Sequence, residues 1–309
     1  MSSVDVIIPI HRPDEKLGLL LGELMVQTLI PDKIIIVETK VDEFLLEEYL
    51  NKIQIKKENI EIISIDKSDF DHGETRNIGI RRSSAEFFIC MTQDAIPADK
   101  KMIENLIENF ERQEVASVYA RQIPHEDCNI LEKITRDFNY PNELRIQSKS
   151  TKDKYGIKTY FCSNVCAAYR RSIFDKLGGF KKNVILNEDM IYASEVVEMG
   201  NEIVYQPNAK VYHSHNYSCM QQYRRNFDIG VSQEIEKEIF SRFSSTNEGK
   251  KLVKKTSEKL IAKRSYLGVI RLYILSGYKY IGYKMGKNYK KLPKKFILWS
   301  TMNKNYWEE

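Results

Sequence analysis

Val4-Asp5-Val6-Ile7-Ile8-Pro9-Ile10-His11-Arg12-Pro13 is a run of branched apolar residues that ends abruptly in a histidine, an arginine and a proline. Such a run reads as a strand buried on both faces, the kind found inside a parallel sheet, and His11-Arg12-Pro13 turns the chain out of it. The same punctuation recurs outward from this point. Asp14 stands as a helix N-cap before Leu17, Leu20, Leu21, Leu24 and Met25 at helical spacing. Lys33–Glu38, with three consecutive isoleucines and a valine, is a second buried strand. A helix carrying Phe44, Leu45, Glu48 and Tyr49 follows, then a strand at Ile60–Ile65, a helix from about Thr75 and a fourth strand at Phe87–Met91. Strand and helix in alternation imply a parallel α/β sheet with right-handed crossovers.

Beyond residue 110 the pattern is less regular. Ser117–Gln122, Thr159–Tyr169 and Ile203–His213 read as strands, with a helix at about Glu188–Met199. Pro124–Asp153 is polar and strand-poor, so a mobile loop is expected there. From about Met220 the pattern is helical to the end, which divides the chain into an α/β domain over 1–219 and a helical region over 220–309.

Composition narrows the class. At 42% hydrophobic and 29% charged residues the chain matches ordinary globular proteins. No segment approaches the ~18 consecutive apolar residues of a membrane span. The first strand begins after three residues with no basic stretch before it, which argues against a signal peptide. Cys90, Cys128, Cys162, Cys166 and Cys219 form no CxxC pair, so they read as reduced thiols of a cytoplasmic protein. Charge is unevenly spread. Arg242–Lys304 holds 17 lysines and arginines against Glu248 and Glu258, so of a net +5 the remainder of the chain carries −10.

In a parallel sheet, ligands gather at the carboxyl ends of the strands. The residues at those ends are His11, Glu38, Asp66 to Arg76, and Thr92-Gln93-Asp94. A carboxylate such as Asp94 after a fully apolar strand suits a hard cation, and equally suits the N-cap of a helix starting near Pro97. Neither GxGxxG nor GxxxxGK[ST] occurs, so a bound nucleotide diphosphate would need another counter-charge, and a metal held by Asp94 is the natural substitute. Asn187-Glu188-Asp189 opens a helix, where acids are also favoured by capping and dipole alone. His213-Ser214-His215 closes a strand, where a lone histidine is more often structural than a ligand.

These clusters, in this order over Val4–Ser218, resemble the family-2 glycosyltransferases of Rossmann-like GT-A fold. The shared elements are the opening Val-Ile-Ile-Pro strand, the acidic motif after the fourth strand, the Gly178-Gly179-Phe180 turn and the Glu188-Asp189 pair. Phe70-Asp71-His72-Gly73-Glu74-Thr75-Arg76-Asn77, Thr92-Gln93-Asp94-Ala95 and the Tyr280–Tyr289 segment are similar to bacterial rhamnosyltransferases within that family. The resemblance implies an inverting, metal-dependent transferase. It assigns Asp189 as general base and Asp94 as ligand of Mg²⁺ or Mn²⁺, with His213 or His215 completing the shell and His213 preferred. Pro9, His11, Glu38, Arg76, Gln93 and Asp94 would line the nucleotide-sugar site, with Glu38 on the base and Arg76 at the diphosphate or donor ribose. One position departs from the family: Thr92 stands where an acid is usual, which leaves one fewer charge near the sugar. The implied donor is dTDP-β-L-rhamnose and the implied acceptor a glycan on a polyprenyl-diphosphate carrier. The alternatives are a UDP-hexose donor, or a non-catalytic membrane-associated scaffold, for which Thr92 is the only support.

The tail interleaves Lys and Arg with Leu267, Ile270, Ile274, Ile281, Tyr273, Tyr280 and Tyr283. It reads either as a helical extension packed on the catalytic domain or as an interfacial segment drawn to anionic lipid. The second would place the enzyme peripherally on the inner face of the cell membrane, and tail helices pairing between subunits would give a homodimer. Nucleic acid is not an expected partner, because it leaves the acidic strand-end constellation unexplained.

Overall fold

A computed structural model describes residues 2–41, 46–52, 58–241 and 245–307. The chain forms two compact units. The first comprises Met1–Ile123, Asn142–Lys182 and Glu188–His213, and the second Pro124–Pro141, Asn183–Asn187 and Ser214–Glu309.

In order, the elements to residue 212 are β1 (Val4–Ile10), α1 (Glu15–Met25), β2 (Lys33–Thr39), α2 (Leu46–Lys52), β3 (Ile60–Ile65), α3 (His72–Arg82), β4 (Phe87–Met91), β5 (Ile96–Pro97), α4 (Met102–Ile107), β6 (Val115–Ile123), α5 (Ile130–Asn139, in the second unit), β7 (Arg145–Gln147), α6 (Lys152–Tyr155), β8 (Cys166–Arg170), α7 (Arg171–Leu177), α8 (Glu188–Met199) and β9 (Glu202–Tyr212). The strands form one sheet in the order β3-β2-β1-β4-β8-β6-β9-β5, with β7 also pairing β9. β3, β2, β1 and β4 run parallel, and β8 enters antiparallel between β4 and β6. The architecture is the mostly parallel α/β one expected. Its core is made by alternate residues of the strands: Val6, Ile8 and Ile10 pack with Leu17, Leu20, Leu21 and Leu24 of α1, all buried. Truncating one of these leucines to alanine would cost about 2–5 kcal/mol.

Four sequence-based expectations are corrected. Thr159–Tyr169 is not one strand: Gly156–Tyr160 forms a 3₁₀ turn and only Cys166–Arg170 is extended. The amide of Gln147 donates to the carbonyls of Lys158, Thr159 and Phe161, which holds this segment in a loop rather than a ladder. Pro124–Asp153 is not a loop throughout, since it contains α5, whose first amides at Leu131 and Glu132 are capped by the Asn129 side chain. No helix begins near Pro97. Ile96–Pro97 pairs with β9 instead, and the helix starts at Met102, so Asp94 caps nothing there. The helix expected from Thr75 begins at His72, because Asp71 accepts from the amides of Gly73 and Glu74 at 3.0 and 2.6 Å. Phe44 and Leu45 lie outside the described residues.

The second unit is helical: α5 is joined by α9 (Cys219–Ile235), α10 (Lys237–Phe240), α11 (Ser245–Ala262), α12 (Tyr266–Lys287) and α13 (Lys294–Ser300). α9 and α12 lie backbone to backbone. A Cβ at Gly282 would stand 2.2 Å from the Tyr223 carbonyl oxygen, and one at Gly286 would stand 2.0 Å from that of Phe227, so only glycine fits either place. Asp228, fully buried on α9, accepts from the Thr301 hydroxyl at 2.6 Å and the Met302 amide at 2.9 Å, which ties the C-terminal segment to that helix. The other side of α12 is open. Leu267 is 82% exposed, and Tyr266, Ile270, Tyr273, Ile274, Tyr280 and Ile281 are each more than half exposed. One face of α12 is thus packed on α9, and the other is apolar and exposed. Among the described residues no helix is long and apolar enough to cross a membrane.

Candidate active site

The carboxyl ends of β1, β2 and β3 frame a cleft of about 930 Å³ lined by His11, Arg12, Glu38, Lys40, Ser64, Asp66 and Lys67 among others. Glu38 sits opposite Ile10 in the β1–β2 register, and its carboxylate accepts from the Ser64 hydroxyl at 3.0 Å. Burial, with Arg12 and Lys67 nearby, holds the His11 imidazole below its ordinary value, so the ring is neutral at pH 7. Pro9 lies two residues earlier, opposite Val37. Gln93 fixes the rim from the next strand: its carbonyl accepts from the His11 amide at 2.8 Å and its amide donates to the His11 carbonyl at 3.2 Å. This engages Gln93 with protein backbone.

Asp94 follows the end of β4, in a turn where the Ala95 amide donates to the Thr92 carbonyl. His213 follows the end of β9, and its Nε2 lies 3.6 Å from an Asp94 carboxylate oxygen. On the other side of the ring, Nδ1 lies 3.0 Å from Gln122 Oε1, while the Gln122 amide donates to Ser163 Oγ at 3.0 Å. Gln122 Oε1 is an acceptor, so Nδ1 donates to it, and in the neutral ring the Nε2 lone pair is then turned toward Asp94. Two acceptors then face each other, an arrangement relieved by a cation between them or by a second proton on the ring. The oxygen-and-imidazole donor set, with the ring oriented from behind by an amide, fits a divalent cation such as Mg²⁺ or Mn²⁺, which Asp94 and His213 would hold. The Thr92 hydroxyl is buried and has no hydrogen-bond partner among the described residues. His215, the other candidate, belongs to the second unit.

Glu188 and Asp189 open α8, directly after Asn187 at φ 70°, a left-handed conformation that asparagine tolerates better than most residues. Asn164 holds both acids: its backbone N–H donates to Asp189 at 3.1 Å and its side-chain amide donates to Glu188 at 3.0 Å. The Asn164 side-chain oxygen in turn accepts from the Tyr169 hydroxyl at 2.6 Å. Burial first, and the Glu188 charge second, push the Asp189 carboxyl up to about 7. Glu188 moves the opposite way despite its burial, because Arg76, His72 and the Asn164 amide favour its ionised form. Arg76 is itself buried. Its guanidinium lies 3.1 Å from Glu188 and donates to the His72 carbonyl at 2.7 Å, so in this structure it is turned to Glu188. Cys162 and Cys166 are buried free thiols that burial pushes far above neutrality, which removes them as nucleophiles.

Gln122, Ser163, Asn164 and Tyr169 were not singled out from the sequence. The available signal was weak: Gln122 follows Arg121 near the end of β6 and Asn164 follows Ser163 just before β8, so neither stands out as a lone polar residue.

A Rossmann-like sheet with these acidic strand ends defines the glycosyltransferases of GT-A type. The glycosyl transferase family 2 profile matches residues 5–178, and the chain belongs to that family. It is 36% identical over 307 residues to the O-antigen chain rhamnosyltransferase RfbN of Salmonella typhimurium, covering 98% of this chain and 96% of that protein. It is 40% identical over 248 residues to the O-antigen chain rhamnosyltransferase WbaN of Salmonella anatum, covering 80% and 78%. Among solved structures, the fold is shared with the mannosyltransferase PcManGT of Pyrobaculum calidifontis in complex with GDP-Man and Mn²⁺, at a TM-score of 0.59 and 13% identity over 100% of this chain and 88% of that one. It is shared also with S. aureus TarS 1-349 in complex with UDP-GlcNAc, at a TM-score of 0.54 and 14% identity over 94% and 92%. The chain is therefore a glycosyltransferase.

Proposed function

We propose that this enzyme transfers L-rhamnose, with inversion, from dTDP-β-L-rhamnose to a lipid-linked glycan in the synthesis of a bacterial surface polysaccharide of O-antigen type. The observation that carries the donor is the identity of 36% and 40%, over most of the chain, to two O-antigen chain rhamnosyltransferases. Glu38, with His11 and Pro9 beside it, recognises the nucleotide base in the strand-end cleft. Asp94 and His213 hold a divalent cation, which supplies counter-charge for the donor's diphosphate when bound. Asp189 takes the proton from the acceptor hydroxyl. That oxygen attacks the anomeric carbon from the face opposite the diphosphate, the bond from that carbon to the diphosphate oxygen breaks, and the electron pair leaves with the nucleotide. The high proton affinity of Asp189 favours this assignment, because a base works best when its pKa lies near the working pH.

The open side of α12 lies against anionic lipid, where the acceptor's carrier is embedded. Its support is the exposed apolar row from Tyr266 to Ile281 within a segment rich in lysine.

The test is calorimetric binding and turnover with dTDP-rhamnose, UDP-glucose and UDP-galactose, each with and without Mn²⁺ or Mg²⁺. Selective, metal-dependent use of dTDP-rhamnose is expected. Preference for a UDP-hexose overturns the donor while leaving the enzyme class. Turnover undiminished by chelation overturns the metal site.

A further inference from the structure

We infer that Arg76 is a positioning residue for transfer: it acts on Asp189 through Glu188, and so sets the pH at which the base becomes available. This rests on the reading of Asp189 as base. Glu188 is buried, and its carboxylate is met by the Arg76 guanidinium at 3.1 Å and the Asn164 amide at 3.0 Å. Arg76 is pinned in turn by the His72 carbonyl one helical turn back, so the ion pair is preorganised on α3. Asn164 bridges Glu188 to Asp189, which makes the two acids neighbours through one residue as well as along the helix. Without Arg76 the two adjacent buried acids would share one proton and hold it to higher pH, so Asp189 would be fully freed only after Glu188 had also lost its proton. With Arg76 in place, Glu188 stays charged and the titrating proton belongs to Asp189.

The other groups around the pair change little near neutrality. Cys90 on β4, Cys162 before β8, Tyr169 on β8 and Tyr192 on α8 are all held protonated by burial. His72 on α3 adds positive charge only when protonated, and then it favours the ionised form of Glu188, as Arg76 does. Arg76 and Glu188 are therefore the charges that decide when Asp189 ionises.

The experiment is the pH profile of kcat/KM, beside calorimetric binding of dTDP, for the parent protein and for Arg76→Met, Arg76→Lys, Glu188→Gln and Asp189→Asn. An opposite charge at this range moves a carboxyl by about 1–3 pH units. Arg76→Met should move the acidic limb upward by about one unit or more, with activity about fivefold or more down at pH 7 and recovering toward pH 9. Its dTDP affinity should stay within about twofold, and Arg76→Lys should restore most of the limb. Glu188→Gln should move the limb the other way, which keeps the test decisive if Arg76→Met fails to fold. An unmoved limb in the folded variants overturns the inference, as does a tenfold loss of dTDP affinity in Arg76→Met, which would put Arg76 on the donor. Normal turnover of Asp189→Asn overturns the base itself, a separate result.

Discussion

His213 Nε2 and the Asp94 carboxylate stand 3.6 Å apart at the ends of two strands that are not neighbours in the sheet, with the His213 ring oriented from behind by Gln122. If this pair holds the donor's metal, Asp94→Ala and His213→Ala should each abolish the Mn²⁺-dependent part of nucleotide binding. Gln122→Leu should weaken it by about 10–100-fold while every ligand remains, because the ring loses its orienting partner. Calorimetry with and without metal separates the cases. Metal-dependent binding that survives Asp94→Ala would make the pair structural.

Asp189→Asn should lower turnover by about 10²–10⁴-fold and leave donor binding intact. Rate should rise with pH through about 7 as the carboxyl loses its proton. Single-turnover rates set against binding isotherms make the distinction.

The same carboxyl has a stability signature. From about pH 4 to about 7 the unfolded chain gives up this proton while the folded protein keeps it, so stability falls with rising pH across that window and stays level above it. Asp189→Asn removes this slope. Its Tm relative to the parent should climb between those limits and then flatten. Parallel Tm curves would mean that Asp189 titrates like an exposed acid.

Glu38→Ala removes a charged acceptor from the strand-end cleft and should weaken dTDP by about 10–100-fold. kcat at saturating donor should hold, since base recognition is the same in ground and transition states. A fall in kcat with unchanged KM would place Glu38 nearer the reacting atoms.

Leu267→Ser with Ile274→Ser should reduce binding to vesicles containing anionic lipid and leave transfer to a water-soluble acceptor unchanged. Co-sedimentation at low and high salt is the measurement. Equal binding to neutral vesicles, or no change in the double variant, would count against a lipid-facing α12.

Much of the first unit was legible because its strands are complete in themselves. β1, β2 and β4 are largely apolar runs of strand length, and their polar ends mark His11, Glu38 and Asp94 directly. What stayed hidden depends on partners far away in the chain. The limits of β8 follow from Gln147 reaching three carbonyls of a later segment, and α5 buries only Leu131 and Ile134, too few to stand out from a polar stretch. Arg76 carried a family expectation at the diphosphate or donor ribose, but no local signal announces a guanidinium turned to a carboxylate 112 positions later.

The contact of α12 with α9 through Gly282 and Gly286 makes the two helices inseparable. Shortening the chain after Ser241 would strip cover from Phe227 and Val231, which pack with Met285, Tyr289 and Ile297. A clipped protein that no longer met lipid would therefore have lost its scaffold along with its surface. The outer side of α12 can be rewritten one residue at a time, but the helix itself cannot be shed.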